Sequence, residues 1–300
     1  MAKELAKALL DMDVDTIYAK GIERPFLQRI ALKFLLYGWG LERGVYRGST
    51  LGEELGVKII SGRGQELATH RLSPGGSKVI FSYPEYPLFI VDLTMWDRHS
   101  DKEKRKLVNQ LGSVISLLRD HLWDYNLSLN HANDEFRRTF STIFFNKVRF
   151  DVEPSKNSIV LDPYGDVEAN EEMLRSVDCF IIGGIVDDSG WRYATKELSE
   201  RVGYSFKRVR ITLRGSRVGV PDRLNKVISI ILRVREGQSL EEAILAEQSN
   251  ADKFLRLLRD TTLNGDLEGN ANWLRASEKV KERVKKIVSR TRPGSSSSPQ

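Results

Sequence analysis

The chain has 300 residues, of which 40% are hydrophobic and 29% charged, an ordinary balance for a globular protein with room for about two domains. A formal net charge of +6 and a pI near 9.3 favour polyanionic partners, nucleic acid first. The single cysteine, Cys179, excludes an intrachain disulfide; the four histidines lack ligand spacing, so no metal is expected, and no apolar stretch approaches the ~20 residues that cross a bilayer.

The opening "MAKELAKALLDMDVD" reads as an amphipathic helix, and its acidic residues do not suit a signal or transit peptide. A cytoplasmic protein is expected. "RPFLQRIALKFLLYGW" places apolar residues at helical spacing on Phe26, Ile30, Leu32, Phe34 and Leu35. The Gly- and Arg-rich stretch that follows suits short strands and loops, with Arg63 of "SGRGQ" on a flexible loop. Its glycines Gly38, Gly40 and Gly44 miss the dinucleotide-binding spacing and follow a helix, not a strand. "SPGGSK" reads as a linker after residue 73.

From about residue 78 strands and helices alternate. "KVIFSYP" and "PLFIVDL" are β-rich, and a long amphipathic helix capped by Ser100 follows. "YNLSLNH" reads as a strand and "NDEFRRTFSTIFF" as a helix. "SIVLDPYGD" is a strand and turn, and "NEEMLRSV" a helix capped by Asn170. "CFIIGGIVDDSGW" is a strand that ends in glycines and paired carboxylates. "RYATKELSERVGY" is helical, "FKRVRITL" a strand, and "DRLNKVISIILRVREG" a helix ended by Gly237. "SLEEAILAE" adds a helix capped by Ser239. Two further helical segments, separated by a Gly/Asn-rich break, lead to a low-complexity tail.

Such alternation predicts an α/β fold with a mainly parallel sheet, whose ligands sit at the carboxyl ends of the strands. Three predicted strand ends carry polar or glycine-rich loops: "LDPYGD", "IGGIVDDSG" and "LRGSRVGVPDR". The domains expected are 1–73, an N-terminal RNA-binding domain; 74–245, the α/β domain; 246–292, a basic helical domain; and 293–300, a disordered tail. Ten Lys/Arg between Arg201 and Arg235 face one acidic residue, Asp222, and the last helix adds seven basic residues against Glu278 and Glu282. Phosphate contacts from these zones would give affinity without sequence information. Any one such run also serves as a solvated face.

"VLDPYGD", "FIIGGIVDDSG" and "LNKVISIILRVREGQSLEEAI" resemble the catalytic domain of the tRNA purine-9 N1-methyltransferases, archaeal branch, of the SPOUT class; "FIVDLTMWDRHSDKEKRKLVNQL" resembles that family's first strand and helix. The resemblance covers roughly residues 80–245. It implies a SPOUT-type trefoil-knotted parallel sheet flanked by a small N-terminal domain and a helical C-terminal domain. It also implies S-adenosyl-L-methionine as cofactor, S-adenosyl-L-homocysteine as product, tRNA as partner and a monomeric enzyme. The implied cofactor residues are Leu161, Gly183, Gly184, Asp188, Ser189, Arg210, Ile211, Val218, Val220 and Asn225. The implied catalytic residue is Asp187. Candidate tRNA contacts are Arg63, Arg208, Arg214, Arg217, Arg223, Lys285 and Lys286.

Glycines at a strand end let a ligand approach backbone closely, although Gly183-Gly184 would equally serve tight packing. Guanine N1 carries a proton, so its methylation needs a base, whereas adenine N1 offers a lone pair and becomes cationic. Asp187 suits either task, and a strand-end Asp also forms turns. Asp188 stands where relatives carry a basic or amide residue, and "VRITLRG" lacks a proline common in relatives. The expected product is N1-methyladenosine at position 9. The alternatives are N1-methylguanosine or dual specificity there, a SPOUT enzyme acting on ribosomal RNA, and a non-catalytic RNA-binding protein.

Overall fold

The computed structural model describes residues 1–186 and 193–291. In chain order the elements are α1 (Ala2–Asp11), β1 (Thr16–Tyr18), α2 (Phe26–Tyr37), β2 (Gly40–Glu54), β3 (Val57–Ser73), β4 (Leu88–Asp92) and α3 (Asp101–His121). There follow β5 (Leu127–Asn130), α4 (Asp134–Ile143), β6 (Arg149–Phe150), β7 (Ser158–Leu161), β8 (Val167–Glu168), α5 (Glu171–Ser176) and β9 (Cys179–Gly183). The last are α6 (Ala194–Val202), β10 (Lys207–Arg210), α7 (Leu224–Arg235), α8 (Leu240–Glu247), α9 (Asn250–Asn264), α10 (Leu267–Trp273) and α11 (Glu278–Thr291). The chain packs as two units: Met1–Leu88 with Ile115–Val152, and Phe89–Val114 with the residues from Glu153 on.

In the first unit a three-stranded sheet of order β1-β3-β2 packs on α1 and α2. Leu5, Leu9, Ile17, Leu27, Ile30 and Ile59 are fully buried between them. Each such side chain contributes about 1.5–3 kcal/mol on leaving water. α2 begins where the Glu54 carboxylate accepts the N–H groups of Phe26 and Leu27 at 2.9 and 3.0 Å, satisfying orphan donors at a positive helix end. It ends at Gly38, with φ +65.

Two corrections arise here. The Gly- and Arg-rich stretch is not a set of short strands but one long antiparallel hairpin, β2 against β3, with register shifts near Gly44, Gly48 and Gly52. Local glycines mark bulges there, and Arg63 lies within β3, not on a loose loop. "KVIFSYP" is extended but pairs with no strand among the described residues. Its Val79 and Phe81 pack on the N-terminal core, and Asn126 donates to the carbonyls of Pro84 and Pro87. "SPGGSK" folds back on β2, with Leu41 and Ser77 bridged.

In the second unit the strand order is β4-β9-β7-β10-β8. β10 runs parallel to both β7 and β8, and β7 parallel to β9. Every residue of β4 and β7, and all of β9 but Gly183, is buried. That is the signature of parallel strands covered on both faces, and it explains why these segments read as unbroken apolar runs. Phe89 stacks on Phe180 with ring centroids 5.5 Å apart. Cys179 is a free, buried thiol in the same layer, as a small hydrophobe would be. α7 buries Ile228, Ile230, Ile231 and Val234, and Gln110 of α3 accepts the N–H of Leu224 at its start. The expected Gly/Asn-rich break contains α10, whose start is capped by Asp266 accepting from Gly269 N–H at 2.8 Å.

Candidate active site

Parallel register sets three strand ends side by side. Leu161 pairs with Ile182 of β9 on one side and with Val209 of β10 on the other. The loops after β7, β9 and β10 therefore leave the sheet along one edge, the place where open parallel sheets bind ligands.

The first loop is built on Asp162, whose side chain is fully buried. Its Oδ1 accepts the N–H of Tyr164 and its carbonyl the N–H of Gly165, both at 2.8 Å, an Asx turn. A Cβ on Gly165 would stand 2.7 Å from the backbone of Arg208, so only glycine lets the turn lie on β10. Arg208 is held by this turn: its guanidinium lies 3.4 Å from Asp162 and 3.2 Å from Asp166, with the side chain 17% exposed. Arg210 donates to the carbonyl of Gly165 at 2.8 Å, and its own carbonyl accepts from Ala169. The carbonyl of Arg210 is thus committed to the fold.

The glycine pair after β9 separates into two roles. A Cβ on Gly184 would lie 2.7 Å from Leu93 and 2.9 Å from the Asp92 carbonyl, and Gly184 N–H donates to that carbonyl at 2.8 Å. Gly184 is therefore a packing glycine against the end of β4. A Cβ on Gly183 would meet only the movable tip of Ile185, at 2.8 Å, and Thr195 Oγ1 at 3.6 Å. The space at Gly183 is thus covered by the Ile185 side chain, which can turn aside. Asp187, Asp188 and Ser189 lie outside the described residues.

Three further residues stand at this strand end, of which only Asp92, in the Asp-Leu pair of "FIVDL", was marked by the family resemblance. Asp92 is fully buried; its Oδ2 accepts from the Tyr204 hydroxyl at 2.6 Å and its Oδ1 from Thr94 N–H at 2.9 Å. Burial first, and then the Asp92 hydrogen bond, hold the Tyr204 hydroxyl protonated far above the usual phenol range. His99, also buried, accepts the N–H of Val186 on Nε2 at 3.0 Å. The strand-end position of Asp92 in "FIVDL" was a usable signal. His99 carried none, because its partner is a backbone amide remote in sequence.

The third loop follows β10. Leu213 and Ser216 form a tight two-way backbone pair, Ser216 Oγ accepts from Val218 N–H at 3.2 Å, and Arg217 carbonyl accepts from Val220 N–H at 3.1 Å. Ile211, Val220 and Asn225 are half-buried and Val218 is 37% exposed. Arg217 stacks over the Tyr164 ring at 3.9 Å, and Tyr164 meets Tyr193 at 4.6 Å. The edge thus offers Gly183, covered only by the movable Ile185 tip and Thr195, beside partly exposed apolar side chains and an aromatic pair. An adenosine-bearing sulfonium cofactor fits such a surface.

The other candidate cations are dispersed. Arg214 forms a bidentate pair with Glu241 at 2.8 and 2.9 Å, and this pairing holds the Glu241 carboxyl below its usual range. Arg223 is exposed just before α7, and Lys285 and Lys286 are exposed on α11. Arg63 is exposed on the β2–β3 hairpin of the other unit. No cluster of three or more metal-binding side chains occurs among the described residues. None of the described helices is long and apolar enough to cross a membrane.

Residues 1–73 match the family model "tRNA (adenine(9)-N1)-methyltransferase N-terminal domain", and residues 249–287 match its C-terminal domain. The chain is 42% identical over 290 residues to the tRNA (adenine(9)-N1)-methyltransferase of Sulfolobus acidocaldarius, spanning 95% of this chain and 97% of that protein. It is 37% identical over 190 residues to the tRNA (guanine(9)-/adenine(9)-N1)-methyltransferase of Thermococcus kodakarensis, 59% of this chain and 51% of that one. Its fold matches the crystal structure of Sulfolobus acidocaldarius Trm10 in complex with S-adenosylhomocysteine with a TM-score of 0.82 at 38% identity, covering 96% and 99% of the two chains.

Proposed function

The chain belongs to the tRNA (adenine(9)-N1)-methyltransferase family, and from that premise we infer that it methylates N1 of the adenine at position 9 of tRNA, using S-adenosylmethionine. The observation that carries this is the 42% identity along 95% of the chain to a relative of that activity. The cofactor reading is supported by the S-adenosylhomocysteine complex of the similar crystal structure and by Gly183 at the strand end, where only a movable side chain would meet a Cβ closely.

The cofactor, when bound, supplies an electrophilic methyl group on a sulfonium. The protein's part is mostly positioning. Gly183 admits the ligand to the end of β9, with Leu161 and Ile211 beside it and Val218 and Val220 on the following loop. We assign the nucleobase to Asp187, the residue after the His99-anchored Val186 in the chain. Adenine N1 has a lone pair, so no proton need leave before transfer. The carboxylate then orients the ring and steadies the positive charge that develops on it. Asp188 and Ser189 are likewise assigned to the cofactor.

Nucleotide 9 lies inside folded tRNA and must be exposed before reaction. Contact with tRNA phosphates falls to Arg63, Arg217, Arg223, Lys285 and Lys286. Arg208 and Arg214 join them while also pairing with Asp162 and Asp166 and with Glu241. We take the sheet with its β10 loop to be a SPOUT trefoil knot in a monomeric, cytoplasmic, RNA-binding enzyme. A second reading, methylation of guanine as well as adenine, is favoured by the 37% identity to the dual-named relative. Calorimetry with S-adenosylhomocysteine tests the assignment: one site per chain is expected, and no binding at all would contradict it.

A further inference from the structure

We propose that Arg256, on α9 in the C-terminal segment, is a positioning residue for the cofactor, holding the loop after β10 in its binding shape. The proposal rests on the assignment of that loop to the cofactor pocket.

The loop has little structure of its own. Its internal bonds are the Leu213–Ser216 pair and two short turns at Val218 and Val220, and no strand or helix runs between Arg210 and Leu224. A loop that must present backbone to a ligand needs an external brace. Arg256 supplies it. The guanidinium Nη1 donates to the carbonyl of Leu213 at 2.6 Å and to that of Val218 at 3.3 Å. One group thus ties together the entry and the apex of the loop.

The guanidinium is itself fixed. Its Nε donates to Asp260, one helical turn on, at 2.5 Å, and Asp260 also accepts from Arg259 at 2.7 Å. Trp273 of α10 lies with its ring 5.1 Å from the guanidinium. The Arg256 side chain is 3% exposed. A buried arginine whose donors go to loop carbonyls is an expensive choice for filling space, where an apolar residue would do.

Two neighbours point the same way. Gly219, next to Val218, has φ +82, and a Cβ there would stand 2.6 Å from Arg256 Cβ and 3.1 Å from the Asp252 carbonyl. The loop therefore lies directly on α9. Gln248 Nε2 donates to the Gly219 carbonyl at 2.8 Å. On the loop's outer side, Arg214 stacks on the same Trp273 ring at 3.9 Å, and the indole N–H donates to Glu241, Arg214's ion-pair partner. Side chains from α8, α9 and α10, together with Gln248, converge on one loop of the α/β unit.

The test uses the full chain with three variants, Arg256→Met, Arg256→Lys and Gln248→Met. S-adenosylhomocysteine affinity is read by calorimetry, KM is read separately for cofactor and tRNA, and fold by thermal melting. Arg256→Met is expected to weaken S-adenosylhomocysteine binding tenfold or more while the KM for tRNA stays within twofold. Arg256→Lys should recover part of the loss, since one ammonium can reach one carbonyl. Gln248→Met should cost about threefold. Unchanged cofactor affinity in a folded Arg256→Met overturns the proposal, as does an equal loss of both KM values. If Arg256→Met does not fold, unchanged affinity in the other two variants overturns it. A wild-type chain that binds no S-adenosylhomocysteine removes the cofactor assignment itself, a different failure.

Discussion

The Nε2 of His99 accepts the backbone N–H of Val186 at 3.0 Å, and its Nδ1 stands 3.2 Å from the carbonyl of Trp96. The two contacts define the tautomer: the proton sits on Nδ1 and the free lone pair on Nε2. The side chain thereby fixes the backbone one residue before Asp187. His99→Leu leaves the Val186 N–H without its acceptor, at a cost of about 1–3 kcal/mol. The expected result is a fall in kcat of roughly tenfold or more with tRNA affinity retained, and partial recovery in His99→Gln. Steady-state kinetics on the three proteins check this.

The two glycines after β9 should fail differently. Gly184→Ala drives a methyl into Leu93 and the Asp92 carbonyl, so it should lower stability by about 1–3 kcal/mol, read as a drop in Tm. Gly183→Ala needs only a shift of Ile185. It should melt near the wild type yet bind S-adenosylhomocysteine several-fold more weakly.

Glu247 gives the fold an acid-sensitive joint. Burial alone would raise its carboxyl pKa, but hydrogen bonds from Lys226, Ser229 and Arg233 outweigh burial and hold it below the usual range. A depressed folded-state pKa means the stabilisation is present above the unfolded carboxylate pKa and is lost as pH falls through the lower folded value. Glu247→Gln should therefore lower stability near neutrality by about 2 kcal/mol. The gap to wild type should close in acid melts below the ordinary carboxylate range.

The role of Asp187 is open to a pH test. With an adenine at position 9 the pH–rate profile should be flat across neutral pH, because no proton leaves N1 before transfer. Any activity on a guanine transcript should rise with pH, as a proton must then be removed. Asp187→Asn should reduce the adenine reaction and abolish the guanine one.

Much of this was legible in the chain. The strands of the parallel sheet read as apolar runs because both their faces are covered, and the expected helix caps Asn170 and Ser239 each accept an N–H of the first turn. The β2–β3 hairpin misread as short pieces because bulge glycines interrupt its alternation. "KVIFSYP" has the composition of a strand, but a strand exists only with a partner, and pairing is not local. His99 and Arg256 were invisible for the same reason: each is defined by a backbone group far away in sequence. The pairing of Arg208 with Asp162 and of Arg214 with Glu241 was equally invisible, because it is a property of the fold.

The most direct measurement is to map the nucleotide modified when the enzyme, with methyl-labelled S-adenosylmethionine, acts on matched tRNA transcripts carrying adenine or guanine at position 9. Label on N1 of adenine 9 is the expected result. An unmodified adenine transcript, or label at any other position, would contradict the assignment.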